Sequence, residues 1–152
     1  MYGEHLHLTR LLLSGSAGCI DLANDNTMIF TGQDYEKADG TVGLAYVKTM
    51  CSSSATGVVE DSPTGNTFTV ATAAHELGHN WGCNHDSSGN TCDARQFIMA
   101  AILTNTAPST WSTCSKSTIT ATQQSLGASS CLRNAPRPSI GGARCGDGVR
   151  RV

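Results

Sequence analysis

The chain has 152 residues, a mass of 15.9 kDa and a formal net charge of −2 at pH 7, which is the size of one ordinary domain. A hydrophobic fraction of 39% beside a charged fraction of 14% excludes a disordered tail. Ten basic residues stand against twelve acidic ones, and the one basic pair, Arg150–Arg151, lies at the end of the chain. The composition therefore gives no support to nucleic-acid binding through a basic surface.

Seven cysteines are spread at wide intervals, without the Cys-x-x-Cys pairs of zinc ribbons and redox proteins. This spacing favours disulfides and therefore an oxidising compartment, either extracellular or within the secretory pathway. The longest apolar run near the start, Leu11–Leu13, is too short for a signal peptide or a membrane span. We therefore expect a piece of a longer protein, with any membrane anchor in the missing flanking regions.

In chain order, residues 1–24 specify no element and stay unassigned. Thr41–Met50 is rich in β-branched and apolar residues between turn signals, which predicts a strand, and residues 57–60 are predicted as a second, short strand. Residues 62–66 are predicted as a turn.

Two helices are predicted in the second half of the chain. The first spans residues 69–81, and its expected core face consists of apolar residues at spacings of four, three and four: Val70, Ala74, Leu77 and Trp81. Gly82 is expected to end this helix. The second spans residues 112–126 and ends before Gly127, with one side formed by Ile119, Gln123 and Leu126.

The residues that carry chemistry lie at the end of the first helix. His75 and His79 are one turn apart, so their imidazoles converge on one point. Gly82 allows the chain to turn back and bring His85 to the same point, and zinc held by three histidines keeps a position open for water. Glu76 would project beside that position, which predicts a general base for metal-assisted peptide hydrolysis.

Three other interpretations of these residues stay open. The histidines could be ordinary residues of an amphipathic helix, or they could bind zinc in a truncated, non-catalytic secreted fragment. A structural zinc site would need a fourth protein ligand, for which Cys83 is the nearby candidate, although it lies close to His85 for tetrahedral closure. Glu76 separates the catalytic interpretation from the others, because a structural site has no need of a carboxylate there.

The segment His75–Asp86 reads HELGHNWGCNHD and resembles the zinc signature of metzincin metalloendopeptidases. Asp86 after the third histidine is similar to the adamalysin/reprolysin branch, which includes ADAM proteases and snake-venom metalloproteinases. Phe97–Ala100 resembles the family's methionine turn, so Met99 is expected as a hydrophobic floor beneath the metal. The resemblance implies an α+β metzincin-like fold, with a twisted sheet, an active-site helix and a C-terminal helix, and an endopeptidase that acts on proteins or peptides.

The resemblance also implies residues that bind substrate and calcium. A substrate-binding edge strand, which pairs with an extended peptide, would contain Gly43, Leu44 and Ala45. A hydrophobic substrate side chain would enter a pocket near residues 101–103. A calcium site is implied at Asp25, Cys131 and Asn134. The alternative for the first of these is that Asp25–Asn26 is simply a turn.

The family pattern further implies two disulfides, one joining Cys51 to Cys131 and the other joining Cys92 to Cys114. Cys19 and Cys83 are expected to pair with each other or to stay free. The resulting division is residues 25–134 as the C-terminal part of a peptidase domain and residues 135–152 as a linker and the start of a disintegrin-like module. Because residues 1–18 do not resemble the family's N-terminal half, the domain is expected to be truncated at its N-terminus.

Overall fold

The computed structural model describes residues 25–32, 40–61, 66–102, 106–127 and 131–133. Within these ranges the chain forms a three-stranded sheet and two helices, followed by a single 3-10 turn over Cys131–Arg133. In chain order, the elements are β1 (Thr27–Thr31), β2 (Gly43–Ala45), β3 (Thr56–Glu60), α1 (Asn66–Asn80) and α2 (Thr113–Leu126). The fold is α+β, as expected.

The sheet has the strand order β1-β3-β2 and is mixed. β1 runs parallel to β3, with Thr27 beside Thr56, whereas β2 runs antiparallel to β3, with Gly43 beside Val59. As the central strand, β3 is buried, and Val59 is fully enclosed. β2 is therefore a short strand at one edge of the described sheet.

The strand prediction for Thr41–Met50 is too long, because only Gly43–Ala45 pairs with β3. Lys48 has a φ of 59°, in the left-handed region that ends an extended strand. Its backbone N–H donates to the carbonyl of His79 over 2.8 Å, so tertiary contacts with α1 override the local β propensity. β1 was not predicted from the sequence pattern, although it is a typical short run of β-branched and apolar residues.

Helix α1 packs on β2 and β3, and the predicted core face is wrong in part, since of its four residues Ala74 packs against a buried cluster on the other side of the helix. Val70 is 65% exposed, and the other three predicted residues are only half-buried. The side chains that meet the sheet region are polar: Thr72 and Glu76 lie against Gly43, and Asn80 bonds to β3. Because Gly43 has no side chain, α1 approaches the strand closely enough for its polar face to be buried.

A second layer of packing lies on the other side of α1. Its buried centre consists of Cys83, Ile98 and Met99, against which Ala74, Trp111 and Ile119 pack. The bounds predicted for α2 agree with the structure, where Ser112 caps its N-terminus and Gly127, with a φ of 70°, follows its end. The predicted apolar side is wrong in part, because Gln123 is exposed and the buried helix residues are Ser115 and Thr122.

Two disulfides fasten the described ranges together, Cys51–Cys131 and Cys92–Cys114, the pairing that the resemblance implied. Cys83 carries a free, buried thiol. The predictions for residues 1–24, including Cys19, and for residues 134–152 lie outside the described ranges. Neither α1 nor α2 is long and apolar enough to cross a membrane.

Candidate metal centre

The last turns of α1 place two histidines side by side. His75 and His79 are separated by one helical turn, and their ring centroids lie 4.8 Å apart. The helix ends at Asn80, and the chain then turns at Gly82, whose φ of 95° suits glycine. The N–H groups of Gly82 and Cys83 donate to the carbonyls of His79 and Gly78, which closes the helix end.

This turn brings His85 back onto the same point. The ring of His85 lies 5.0 Å from that of His75 and 4.9 Å from that of His79, so the three imidazoles form a nearly regular triangle. One ligand nitrogen from each ring lies within 4.8 Å of the others. The Nε2 atoms of His75 and His85 are 3.1 Å apart, close to the separation of about 3.3 Å expected for two nitrogens on one tetrahedral zinc ion.

Backbone carbonyls orient both helix histidines. Nδ1 of His75 lies 2.6 Å from the carbonyl oxygen of Ile98, and Nδ1 of His79 lies 2.8 Å from that of Cys83. A carbonyl only accepts, so each Nδ1 carries the proton and donates it. The Nε2 lone pairs are therefore directed to the common point, as in metal-bound histidines with a fixed tautomer.

Burial of the three imidazole rings keeps them uncharged. Burial lowers the pKa of His75 to about 4, against the opposing effect of its bond to Ile98. The pKa values of His79 and His85 are also lowered, in each case mainly by burial. At neutral pH the three rings are therefore neutral imidazoles, the protonation state that binds a metal ion.

Glu76 follows His75 on α1 and is 4% exposed. Its Oε2 atom is buried and has no hydrogen-bond partner among the described residues. Burial raises the pKa of this carboxyl to about 8, and a divalent cation nearby would act in the opposite direction by favouring the carboxylate. The donor set and the buried acid both fit a zinc ion.

A fourth ligand from Cys83 does not fit this geometry. Its thiol is directed at the carbonyl oxygen of Ser115, 3.7 Å away, and the metal-binding group contains the three histidines without it. Burial also raises the pKa of the thiol to about 11, so it stays protonated at neutral pH. The structural zinc site with Cys83 as its fourth ligand is therefore not supported.

Met99 is fully buried and packs against α1 at Ala74 and Gly78. A Cβ atom on Gly78 would lie 2.5 Å from the sulfur of Met99 and 2.9 Å from the ring of Trp111. Glycine at this position therefore lets both side chains reach the helix backbone. Met99 is thus buried against the metal-binding helix, and its role as the floor beneath the metal stays a prediction.

The sequence analysis did not predict the hydrogen bonds that fix Asp86, the residue that follows His85. Asp86 is 1% exposed, and its N–H donates to the carbonyl of Met99 over 2.8 Å. The hydroxyl of Ser112 donates to Oδ1 of Asp86 over 2.7 Å, and Ser112 also caps α2. An S-x-x-S pattern at a helix start was the available signal for the cap, but no local pattern pairs Ser112 with Asp86 across 26 residues.

The structure also locates most of the residues predicted to bind substrate or calcium. Gly43, Leu44 and Ala45 form β2, beside Glu76. Ala101 and Ile102 are exposed after Met99, and Leu103 lies outside the described ranges. Asp25 accepts a bond from the N–H of Cys51 through its carbonyl, which brings it near the Cys51–Cys131 disulfide. Asn134, the third expected calcium ligand, lies outside the described ranges.

Comparison with known proteins agrees with this geometry. A profile described as "Reprolysin (M12B) family zinc metalloprotease" matches residues 17–136. The human protein "A disintegrin and metalloproteinase with thrombospondin motifs 6" is 40% identical over 123 residues, which cover 74% of this chain and 11% of that protein. The chain thus corresponds to a small part of the length of this relative. With most of its length matched by the family profile, the chain belongs to the reprolysin family of zinc metalloproteases.

Proposed function

We propose that this chain is a zinc-dependent endopeptidase that hydrolyses internal peptide bonds, with Glu76 as the general base. The observation that carries the proposal is the buried Oε2 of Glu76, which has no partner among the described residues and belongs to the residue that follows His75 in a cluster of three converging imidazoles. An unpartnered buried carboxylate costs folding free energy. A function that uses its proton affinity accounts for that cost.

The proposed roles follow from the positions of the side chains. His75, His79 and His85 would hold zinc, which supplies a Lewis acid that acidifies water and polarises a peptide carbonyl. Glu76 takes a proton from the attacking water at its carboxylate and delivers it to the leaving amine nitrogen. The carbonyl of Ile98 fixes the ring of His75 during these steps.

The substrate would bind as an added strand. β2 pairs with β3 through one of its edges, and its other edge offers main-chain donors and acceptors to an extended peptide. Gly43 contacts Glu76, so a peptide on this edge would pass close to the general base. Ala101 and Ile102 are proposed to flank the pocket for the side chain that follows the scissile bond.

The proposed location is extracellular or in the secretory pathway. The two disulfides support it, because structural disulfides persist in oxidising compartments. The calcium site at Asp25, Cys131 and Asn134 remains a prediction, which calcium titration of the zinc-loaded protein, followed by thermal unfolding, would test.

The test is the Glu76→Gln variant of the zinc-loaded chain, assayed on an unstructured protein such as casein. We expect zinc content to stay at one per chain and hydrolysis to fall by about 10²- to 10⁴-fold, the range typical of a lost general base. Glu60→Gln is the matched control, since it makes the same chemical change at the end of β3, and its activity should stay at the wild-type level.

Other outcomes separate the alternatives. Hydrolysis that persists in Glu76→Gln would mean that another residue is the base. A wild-type chain that binds zinc but cleaves no protein would support the non-catalytic zinc-binding fragment instead.

A further inference from the structure

Asn80 follows His79 directly and is the last residue of α1. It is fully buried, with an exposed fraction of 0%. A buried amide is costly unless its donors and acceptor are all bonded. Asn80 satisfies them through segments that are distant in sequence, so its partners show what this side chain connects.

The two N–H donors of Asn80 Nδ2 are shared among three nearby acceptors. These acceptors are the carbonyl of Tyr46 at 2.7 Å, the hydroxyl of Thr49 at 3.1 Å and the carbonyl of Thr56 at 3.1 Å. Oδ1 of Asn80 accepts a hydrogen bond from the side chain of Asn26. One side chain thus joins the end of α1 to the residues before β1, the segment after β2 and the start of β3.

The main chain at the end of α1 strengthens the same connection. The carbonyl of Asn80 accepts from the N–H groups of Thr49 and Met50, over 2.9 and 3.1 Å, and the carbonyl of His79 accepts from Lys48 over 2.8 Å. Residues 46–50 are therefore fastened to the helix end that carries His79.

This connection matters because β2 is only three residues long and pairs with β3 alone among the described strands. At its start, Gly43 meets Glu76 so closely that a Cβ atom would lie 2.5 Å from Oε1. At its end, the chain continues directly into residues 46–50. The position of β2 relative to the Glu76 carboxylate is thus set at one end by this contact and at the other by Asn80.

We infer that Asn80 is a positioning residue, which holds β2 in register with the metal-binding helix so that a peptide paired with β2 is presented to Glu76. The role rests on the peptidase function proposed above. It differs from metal binding and proton transfer, because Asn80 acts through β2 and not on the reacting atoms.

The test compares Asn80→Asp with wild type in the zinc-loaded full chain. The carboxylate keeps the shape of the amide but cannot donate to Tyr46, Thr49 or Thr56. For a peptide long enough to pair with β2, kcat/KM should fall by about 10- to 100-fold, the scale of a small misplacement of substrate. For a short reporter amide that cannot pair with β2, it should fall less than about threefold, because α1 itself keeps its helical geometry. Equal losses on both substrates would overturn the inference.

Hydrogen–deuterium exchange provides a readout that does not depend on activity. In Asn80→Asp, the amides of Lys48, Thr49 and Met50 should exchange about tenfold faster, while those of the middle of α1 stay at the wild-type rate. Unchanged exchange at these three amides would also overturn the inference. Gln123→Glu, the same amide-to-acid change at an exposed position on α2, should alter neither exchange nor kinetics.

A second variant covers the case in which Asn80→Asp fails to fold. Thr49→Val removes one of the three acceptors and should give the same substrate-length pattern, with a loss of about two- to fivefold on the long peptide; equal or absent losses would again contradict the role. If wild type hydrolyses neither substrate, the proposed function fails. The exchange result alone then decides whether Asn80 holds residues 46–50.

Discussion

Two kinds of backbone bring the three histidines together. In α1 (Asn66–Asn80), local helical hydrogen bonds set the spacing of His75 and His79. The segment 82–100, which carries His85, contains no helix or strand. Its order comes from contacts that are distant in sequence: the Asp86–Ser112 bond, the packing of Met99 and the Cys92–Cys114 disulfide. Half of the candidate site therefore depends on local structure and half on long-range links.

This difference predicts that the segment 82–100 unfolds more easily than α1. The largest effect is expected from Cys92→Ser combined with Cys114→Ser. The bridge spans 22 residues, so in the chain-entropy model its loss costs about 3 kcal/mol of unfolding free energy. Denaturant unfolding under non-reducing conditions would measure it. Zinc affinity should fall as well, since His85 lies in the loosened segment.

The comparison would fail if the double serine variant lost helical circular dichroism in α1 while keeping wild-type zinc affinity. Ser88→Ala is the control, because Ser88 is exposed in the same segment and its replacement leaves both bridges in place.

The second-largest effect is expected from removal of zinc, which should loosen the segment 82–100 more than α1. At a free zinc concentration 100 times Kd, binding stabilises the folded state by about 2.7 kcal/mol. Chelation removes this contribution and leaves one ligand on a loop and two on a helix. Exchange should therefore rise more at the amides of Asp86 and Ser88 than at those in the middle of α1. Equal increases in both regions would mean that the centre unfolds as one unit.

Local sequence patterns predict the part of the site on α1 well and the contacts of the segment 82–100 poorly. The spacing of His75 and His79 is a property of any α-helix, so these ligands and the end at Gly82 could be predicted within two residues. The buried face of α1 could not be predicted, because periodicity detects only apolar residues. Here the buried residues are polar: Thr72 and Glu76 lie against Gly43 of β2, and Asn80 bonds to β3. The helix face is decided by the close approach at Gly43, which only the tertiary structure shows.

The segment 82–100 was predicted through resemblance and not through its own pattern. Nothing in the spacing of Asp86 and Ser112 indicates that they bond, because the two residues meet only after α2 has docked. The carbonyls of Ile98 and Cys83, which orient two histidines, are main-chain groups and leave no mark in the sequence.

A smaller effect is expected at Asp86 itself. Asp86→Ala removes the charged acceptor of the buried Ser112 hydroxyl, whose remaining acceptor is Oγ of Ser115 at 3.0 Å. The loss of a hydrogen bond to a charged group costs about 1 to 3 kcal/mol. Loss of this support behind His85 should also weaken zinc binding by about 10- to 100-fold, as for other residues that orient metal ligands. Thermal unfolding and competitive zinc titration would measure the two changes.

Two matched variants sharpen this test. Asp86→Asn keeps an oxygen acceptor for Ser112, so most of the stability should be retained. Asp93→Ala removes an exposed carboxylate from the same segment that accepts the local N–H of Arg95 over 2.8 Å, so it should leave zinc affinity unchanged and lower stability by less than about 1 kcal/mol. A zinc affinity in Asp86→Ala equal to that of wild type would show that His85 is held by other contacts.

The smallest effect is expected at Gly82, where the two regions join. Its φ of 95° is one that a side chain disfavours, so Gly82→Ala should cost about 1 to 2 kcal/mol. The added Cβ would also lie 3.3 Å from the hydroxyl of Thr122.

Gly89→Ala is the control, since Gly89 shares a positive φ of 69° but has open space around it. Both variants should lower the melting temperature, but only Gly82→Ala should reduce zinc affinity, because it alone alters the turn that brings His85 to the helix. Equal zinc affinities in the two variants would show that the turn can adjust without moving its ligand.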